Sequence, residues 1–477
     1  MDPDRRESGR AVMSATPGRR RSGVADVDEA TVAGLLELGD RLVGMARPGE
    51  HIEVVAAKSA DTEVRAFGGD VEHFVASTSC AVGVRLISDG RQGFASAGTF
   101  DDDALRSTVV DARDNARFST VDLDVGLVEP DGLEPVATPL WDPSLSAVVA
   151  GDKIALALEL ERATVAAHPS VFGVESADYT DSVGAVAVVS STGVRSGSIE
   201  SNCSLVVYCL ASDGGDTATG FGFSLGRGFG ELRIEAAAGS AARRAAEQIG
   251  ATPHPTAVVP VVLDPWVTAQ LLGVVGATFS GTEATRGRSL FADRIGEVVA
   301  SPIVTLVDDP TDADATGATS HDGEGLATRR NVLIEAGVAS SLLHDGYSAR
   351  RFGTNSNGAA VRGVRSTPSA GPQALRLLAG TTSPGTLISR VGDGLYITEV
   401  QGLHSGVNPV SGDFSAGAEG RVIRGGELAE PVREITIAST LQRMLTHVLG
   451  VGDDPTAMPL DASGLTVAIA DVTVSGA

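Results

Sequence analysis

Three stretches of the sequence collect residue types that do chemistry. The first is GLHSGVNPVSGDFSAGAEG, Gly402 to Gly420, which sets His404, Asn408, Asp413 and Ser415 among glycines. A histidine beside a hydroxyl and a carboxylate is the inventory of nucleophilic hydrolysis. The second is GFSLG, residues 222–226, a literal G-x-S-x-G around Ser224. A nucleophile elbow needs its serine on a sharp turn from strand directly into helix, and here LGRGFG intervenes, so the required context is missing. The third is the acidic run VDDPTDADATGATSHDGEG, residues 307–325. Asp312, Asp314 and Gly317 match the first, third and sixth positions of a calcium-binding EF-hand loop. The twelfth position, which needs a bidentate glutamate, is Gly323, and Thr316 stands where Asp or Asn is usual. The run reads as a solvated, turn-rich loop.

The remaining candidates for metal or redox chemistry are sparse. No two of the eight histidines have the spacing of a helical zinc motif such as HExxH. Cys80, Cys203 and Cys209 are odd in number and lack CxxC spacing, which suits a reducing cytosol and a cytoplasmic protein. Cys203 and Cys209 lie in an alternating segment and face one side of a strand, as buried thiols. A formal charge of −24 argues against nucleic acid as the main ligand, because a phosphate backbone is repelled. No run approaches the roughly 18 apolar residues that span a bilayer, so no membrane partner is expected. Residues 1–25 carry Arg5, Arg6, Arg10, Arg19, Arg20 and Arg21 with no apolar core between them, and read as a disordered leader rather than an export signal.

The elements that must position these residues follow from periodicity and punctuation. From Asp28, DEATVAGLLELGDRLVGMA has helical spacing. Val- and Ala-rich strands follow from residue 51, broken at AFGGD and SDGRQG, as an antiparallel meander with tight glycine turns. Residues 102–117 form an amphipathic helix with Asp101 or Asp102 as N-cap, and residues 152–168 form another. Three strand candidates come next: VFGVESADYTD, VGAVAVVSSTG and SGSIESNCSLVVYCLAS. The stretch 213–230 is too glycine-rich for a regular element, and ELRIEAAAGSAARRAAEQIG is a helix ending at Gly250. The second half opens with a buried strand around VVPVVL, a proline turn and a helix, and then returns to strands. The expectation is an α+β chain of two domains. Residues 26–250 form an N-terminal antiparallel sheet with helices on one face, and residues 251–477 form a β-rich mixed domain.

Several segments together resemble the TldD/PmbA family. They are EVRAFGGDVEHF and VGVRLISDGRQGFASAG near the N-terminus, and RGRSLFADRIGEVVASPIVTLVDDP with HDGEGLATRRNVLIEAGVASSLLHDGYSARRFGTNSNGAAVRG in the middle. GLYITEVQGLHSGVNPVSGDFSAGAEG and GELAEPVREITIASTLQRMLTHVLGVGDD complete the match. Their order and spacing cover nearly the whole chain from about residue 50 onward.

The resemblance implies a metallopeptidase fold with two kinds of subunit. The TldD type carries HExxxH on the helix after the VVL strand, plus a cysteine close to the C-terminus, and together these hold a metal. Counted from VVL at residues 261–263, the two ligand positions fall on Gly273 and Thr278 and the glutamate position on Val274, and SGLTVAIADVTVSGA has no cysteine. Glycine has no donor, valine carries no proton, and a threonine hydroxyl is a poor ligand beside imidazole or thiolate. The chain therefore looks like a TldE/PmbA-type subunit with no catalytic residue, metal or cofactor of its own. The resemblance implies a heterodimer with a TldD-type partner that holds the metal, zinc, and cleaves unfolded peptides in an enclosed chamber. It leaves room for a homodimer where no partner is present. His404, Asn408, Asp413 and Ser415 then become chamber-lining residues. The alternatives are a stand-alone regulatory or binding protein, and a metal-independent hydrolase using Ser224 or His404.

Overall fold

The computed structural model describes residues 27–476, so the leader expected over residues 1–25 lies outside the described residues. β1 (Glu50–Phe67) turns into β2 (Asp70–Ser88) through Gly68 and Gly69, and β2 into β3 (Arg91–Ala97) through Asp89 and Gly90, all at positive φ. These are the turns marked by AFGGD and SDGRQG, where glycine adopts the left-handed backbone without a Cβ clash. β4 (Val171–Ser190), β5 (Arg195–Ser212) and β6 (Thr217–Gly226) complete an antiparallel sheet in the order β3-β2-β1-β4-β5-β6.

Four helices cover one face of this sheet: α1 (Glu29–Val43), α2 (Asp102–Phe118), α3 (Ala150–Ala167) and α4 (Ile234–Glu247). Asp101, not Asp102, caps α2, its carboxylate accepting from the N–H groups of Asp103 and Ala104 at 3.0 and 3.1 Å. Leu35, Leu105, Leu160 and Ala241 of the helices close over Ile52, Val84, Leu205 and Val207 of the strands in a single core.

Two local expectations are corrected. VFGVESADYTD and VGAVAVVSSTG are one continuous strand, β4, because Asp181 and Ser182 stay in register with both Thr62/Asp61 of β1 and Cys203/Asn202 of β5. The glycine-rich stretch after Asp213 contains a regular strand, β6. Gly220, Gly222 and Ser224 face α4, while Phe221 and Phe223 face the other way. A Cβ at Gly220 or Gly222 would fall on the carbonyl oxygens of Ala241 and Ala237, so the glycines let the helix lie directly on the strand.

The second half begins with β7 (Ala257–Leu263) and α5 (Pro265–Ala277), followed by the short helix α6 (Gly281–Thr285). Short strands β8 (Leu306–Asp308), β9 (Asn331–Glu335) and β10 (Val338–Ala339) form a small sheet with β13 (Leu375–Leu377), and β11 (Ala360–Val361) pairs with β12 (Ser369–Ala370). Helices α7 (Gly346–Phe352), α8 (Pro384–Val391), α9 (Leu403–Gly406) and α10 (Leu441–Thr446) connect the strands. The main sheet joins β7 to β14 (Gly394–Gln401), β15 (Asp413–Arg424), β16 (Glu427–Thr440), β17 (Val448–Val451) and β18 (Val467–Ser475). β14 runs parallel to β7, and β18 pairs with β7 on one side and with β16 on the other, which closes the sheet into a barrel. Leu263, Val275, Leu395, Phe414, Ile437 and Ile469 fill its core. No helix among the described residues is long and apolar enough to cross a membrane.

Candidate functional site

Asp264 links β7 to α5. Its Oδ1 accepts from the Trp266 N–H at 2.9 Å and from Arg244 of α4 at 2.8 Å, and its Oδ2 accepts from the Tyr396 hydroxyl at 2.9 Å. With Pro265 at the first helical position, this carboxylate fixes where α5 starts and ties it to both halves of the chain. Gly273 lies on the exposed face of α5, with open space where a Cβ would be. Val274 is half-buried and packs against the C-terminal core. Thr278 is buried at the helix C-cap, where its hydroxyl donates to the Val275 carbonyl at 2.6 Å. A divalent metal needs several convergent lone pairs, and this trio offers one hydroxyl turned back onto its own helix. The donor set does not fit the metal that the resemblance implies for this helix. Among the described residues, no group of three or more His, Cys, Asp or Glu side chains is placed to hold a metal ion.

The segment 402–420 is a turn, one helical turn and a strand. Gly402 and Gly412 have positive φ, and a Cβ at Gly406 would meet the Ser415 carbonyl. Asn408 bridges the turn, its Oδ1 accepting from the N–H groups of Val410 and Ser411 at 2.9 and 3.2 Å. Asp413 accepts from the Ser411 hydroxyl at 2.7 Å. His404, Asn408, Asp413 and Ser415 are all exposed, and no hydrolytic dyad forms among them.

The other motifs have structural roles. Ser224 sits within β6, and its Oγ accepts from the Arg233 N–H at 2.9 Å, which caps the start of α4 from the neighbouring strand. In the acidic run, Arg376 takes both Asp312 and Asp309, the latter at 2.7 Å, and the Thr316 hydroxyl donates to the Met458 carbonyl. Cys203 and Cys209 are buried on β5, and burial pushes their thiols up to about 12 and about 11, so neither is a nucleophile.

A polar cleft of about 230 Å³ opens where the two halves meet, between β5, β6 and α4 on one side and α5, β14 and β15 on the other. Phe221 and Trp266 stand 4.9 Å apart in it, and the Arg244 guanidinium lies 4.8 Å over the Phe221 ring. Glu399 and Glu419 are direct cross-strand partners in the β14–β15 ladder. Burial pushes Glu399 up to about 7, against the Trp266 indole N–H at 3.4 Å and the charge of Arg244. Burial also raises Glu419, against the charge of Arg433.

Three consecutive stretches match models of PmbA/TldA metallopeptidase domains: domain 1 over residues 52–116, the central domain over 143–250 and the C-terminal domain over 256–476. The chain belongs to the PmbA/TldD family. It is 28% identical over 404 residues to the metalloprotease PmbA of Escherichia coli, covering 84% of this chain and 87% of that one. It is 27% identical over 387 residues to a metalloprotease TldD homologue of Haemophilus influenzae, covering 78% and 79%. TldE from Thermococcus kodakarensis has the same fold, with a TM-score of 0.83 at 22% identity over 93% of this chain and 99% of that one. In this PmbA/TldD chain, domain 1 supplies β1–β3 and the central domain β4–β6 to one shared sheet.

The face of that sheet opposite the helices meets the C-terminal half. Glu53 and Arg85 are cross-strand partners there, joined by two hydrogen bonds of 3.0 and 2.8 Å. Arg85 also reaches Glu324 at 3.1 Å, and Arg362 pairs with Glu53. All four side chains are under 5% exposed, so each buried charge depends on its partner, and at Glu324 burial outweighs Arg85 and raises the carboxyl. Burial opposes the charge on Glu53, yet Arg85 and Arg362 outweigh it and hold the carboxyl below its usual range. The sequence reading missed both this network and the cleft. The available sign was a charge inside an apolar run, as in HIEVVA and VGVRLI.

Proposed function

We propose that this chain is the non-catalytic, TldE/PmbA-type subunit of a cytoplasmic heterodimer whose TldD-type partner holds the zinc and cleaves unfolded peptides. The observation that supports this reading is the donor set of α5: Gly273, Val274 and Thr278, on which the resemblance to TldD-type subunits places two imidazoles and a carboxylate, offer a single hydroxyl turned back onto its own helix. Without a bound divalent ion there is no water brought to a pKa near 7 for attack on a peptide carbonyl. The contribution of this subunit is then surface: chamber wall, including the exposed His404, Asn408, Asp413 and Ser415, and the interface that holds the partner. A serine hydrolase is disfavoured because the Ser224 hydroxyl is buried and engaged as a helix cap.

The chain purified alone is expected to carry no stoichiometric zinc by elemental analysis and to leave unfolded peptides intact. Co-expressed with an HExxxH-bearing relative from the same genome, it is expected to co-purify and to give chelator-sensitive cleavage. Stoichiometric metal with chelator-sensitive hydrolysis by the isolated chain overturns the proposal. Failure to co-purify with any such relative points to a stand-alone binding protein instead.

A further inference from the structure

We infer that the cleft between Trp266, Glu399 and Glu419 is a binding site for a primary ammonium group carried by a peptide. Two carboxylates directly opposite each other on neighbouring strands repel, and such a pair weakens a sheet unless something lies between them. The cation of the cleft, Arg244, and the two arginines nearby are already engaged. Arg244 is held by Asp264 at 2.8 Å and by the Thr398 carbonyl at 3.1 Å, Arg433 is paired with Asp216 at 3.2 Å, and Arg421 leans on Glu247 at 3.8 Å. Among the described residues, Glu399 has only the indole N–H of Trp266 as a side-chain partner, at 3.4 Å, and Glu419 has no side-chain hydrogen bond.

Gln248 supplies an independent sign. It lines the same cleft, is 8% exposed, and donates its Nε2 to the Gly420 carbonyl at 3.0 Å, while its Oε1 has no hydrogen-bond partner among the described residues. A buried acceptor without a donor costs free energy, which a donor arriving in the cleft offsets. Glu399, Glu419 and Gln248 Oε1 together make three acceptors, and an ammonium carries three donors and no acceptor. Tyr208, Phe221 and Trp266 form an aromatic wall, a surface that attracts an organic cation. A metal ion is disfavoured: the third carboxylate of the lining, Glu247, is held by Arg243 at 3.1 Å, and among the described residues no three His, Cys, Asp or Glu side chains converge to hold one.

That the ammonium arrives on a peptide rests on the role proposed above; the site itself lies wholly within this chain. It is therefore tested on the isolated chain by isothermal titration calorimetry, with no partner and no hydrolysis in the readout. Three probes are used: tetra-alanine amide with a free N-terminus, its N-acetylated form, and Nα-acetyl-lysine amide. One or both ammonium probes are expected to bind one to one, and which of them binds separates an N-terminal amine from a lysine side chain. In E399Q/E419Q, binding is expected to weaken roughly tenfold or more with an unchanged circular dichroism spectrum. Should that variant fail to fold, the single variants E399Q and E419Q carry the comparison. The inference is overturned if neither ammonium probe binds, if the acetylated tetra-alanine binds as tightly, or if the substitutions leave affinity unchanged. Co-purification with a TldD-type subunit would be unaffected by that result, so the two readings fail separately.

Discussion

Arg85 on β2 and Glu324, 239 residues later, meet at 3.1 Å in a site closed to water. The contact joins the N-terminal sheet to the C-terminal half, and Arg85 simultaneously holds Glu53. Arg85→Met removes the partner of Glu324 and leaves Glu53 with Arg362 alone. Breaking a buried pair from one side costs roughly 3–5 kcal/mol, so the urea midpoint is expected to fall by a corresponding amount. A loss below about 1 kcal/mol, the range of a surface pair, would show that the site is wet or that the pair is dispensable.

Two glycines should respond in opposite directions. Gly222→Ala places a methyl on the Ala237 carbonyl and pushes α4 off β6, for a loss of roughly 1–3 kcal/mol. Gly273→Ala meets nothing and sits inside a helix, so it is expected to stabilise by about 0.5–1 kcal/mol. Denaturant titration of both variants checks the signs, and stabilisation by Gly222→Ala would contradict the packing described for β6.

Part of this structure is legible in the sequence, and the remainder has an identifiable cause. The Asp101 cap and the Gly68–Gly69 turn are local, set by residue type within a few positions. β6 escaped because Gly220 and Gly222 look like a loop when counted by composition. The alternation of Gly with Phe in GFGFS is a strand pattern, with the glycine face reserved for a helix about 20 residues downstream. Glu53, Arg85, Glu324 and Arg362 are separated by up to 309 residues, and no local pattern joins them. The Glu399–Glu419 pair depends in the same way on strand register.

Ser224 offers a direct test of the hydrolase alternative. Ser224→Ala removes the acceptor for the Arg233 N–H and is expected to cost about 0.5–2 kcal/mol, as for other lost helix caps. If the proposed heterodimer with a TldD-type relative forms, its peptide cleavage is expected to be unchanged under conditions where the variant is folded. A collapse in turnover with intact structure would restore the serine as a nucleophile.

Glu399 gives the stability a pH dependence of known sign. Its carboxyl titrates near 7 in the folded chain, where burial, opposed by the Trp266 hydrogen bond and Arg244, combines with repulsion from Glu419, against an ordinary value of 4.5. Between these values the folded chain holds a proton that the unfolded chain has released. The contribution to stability is therefore complete below 4.5 and is lost as pH rises through about 7. Between about pH 5 and pH 8, the thermal midpoint of Glu399→Gln is expected to gain on that of the wild type. A midpoint difference that does not move across this range would place Glu399 in open solvent.

β18 runs antiparallel to β7 along the middle of the C-terminal sheet and touches β16 on its other side. These contacts span about 200 residues of chain. During synthesis, β7 and β14 leave the ribosome long before the strand that completes their barrel, so a nascent chain has an open seam until residues 467–475 emerge. The second core must then assemble after translation has passed that point, and a ribosome stalled earlier would display an unpaired β7 edge and apolar side chains to chaperones.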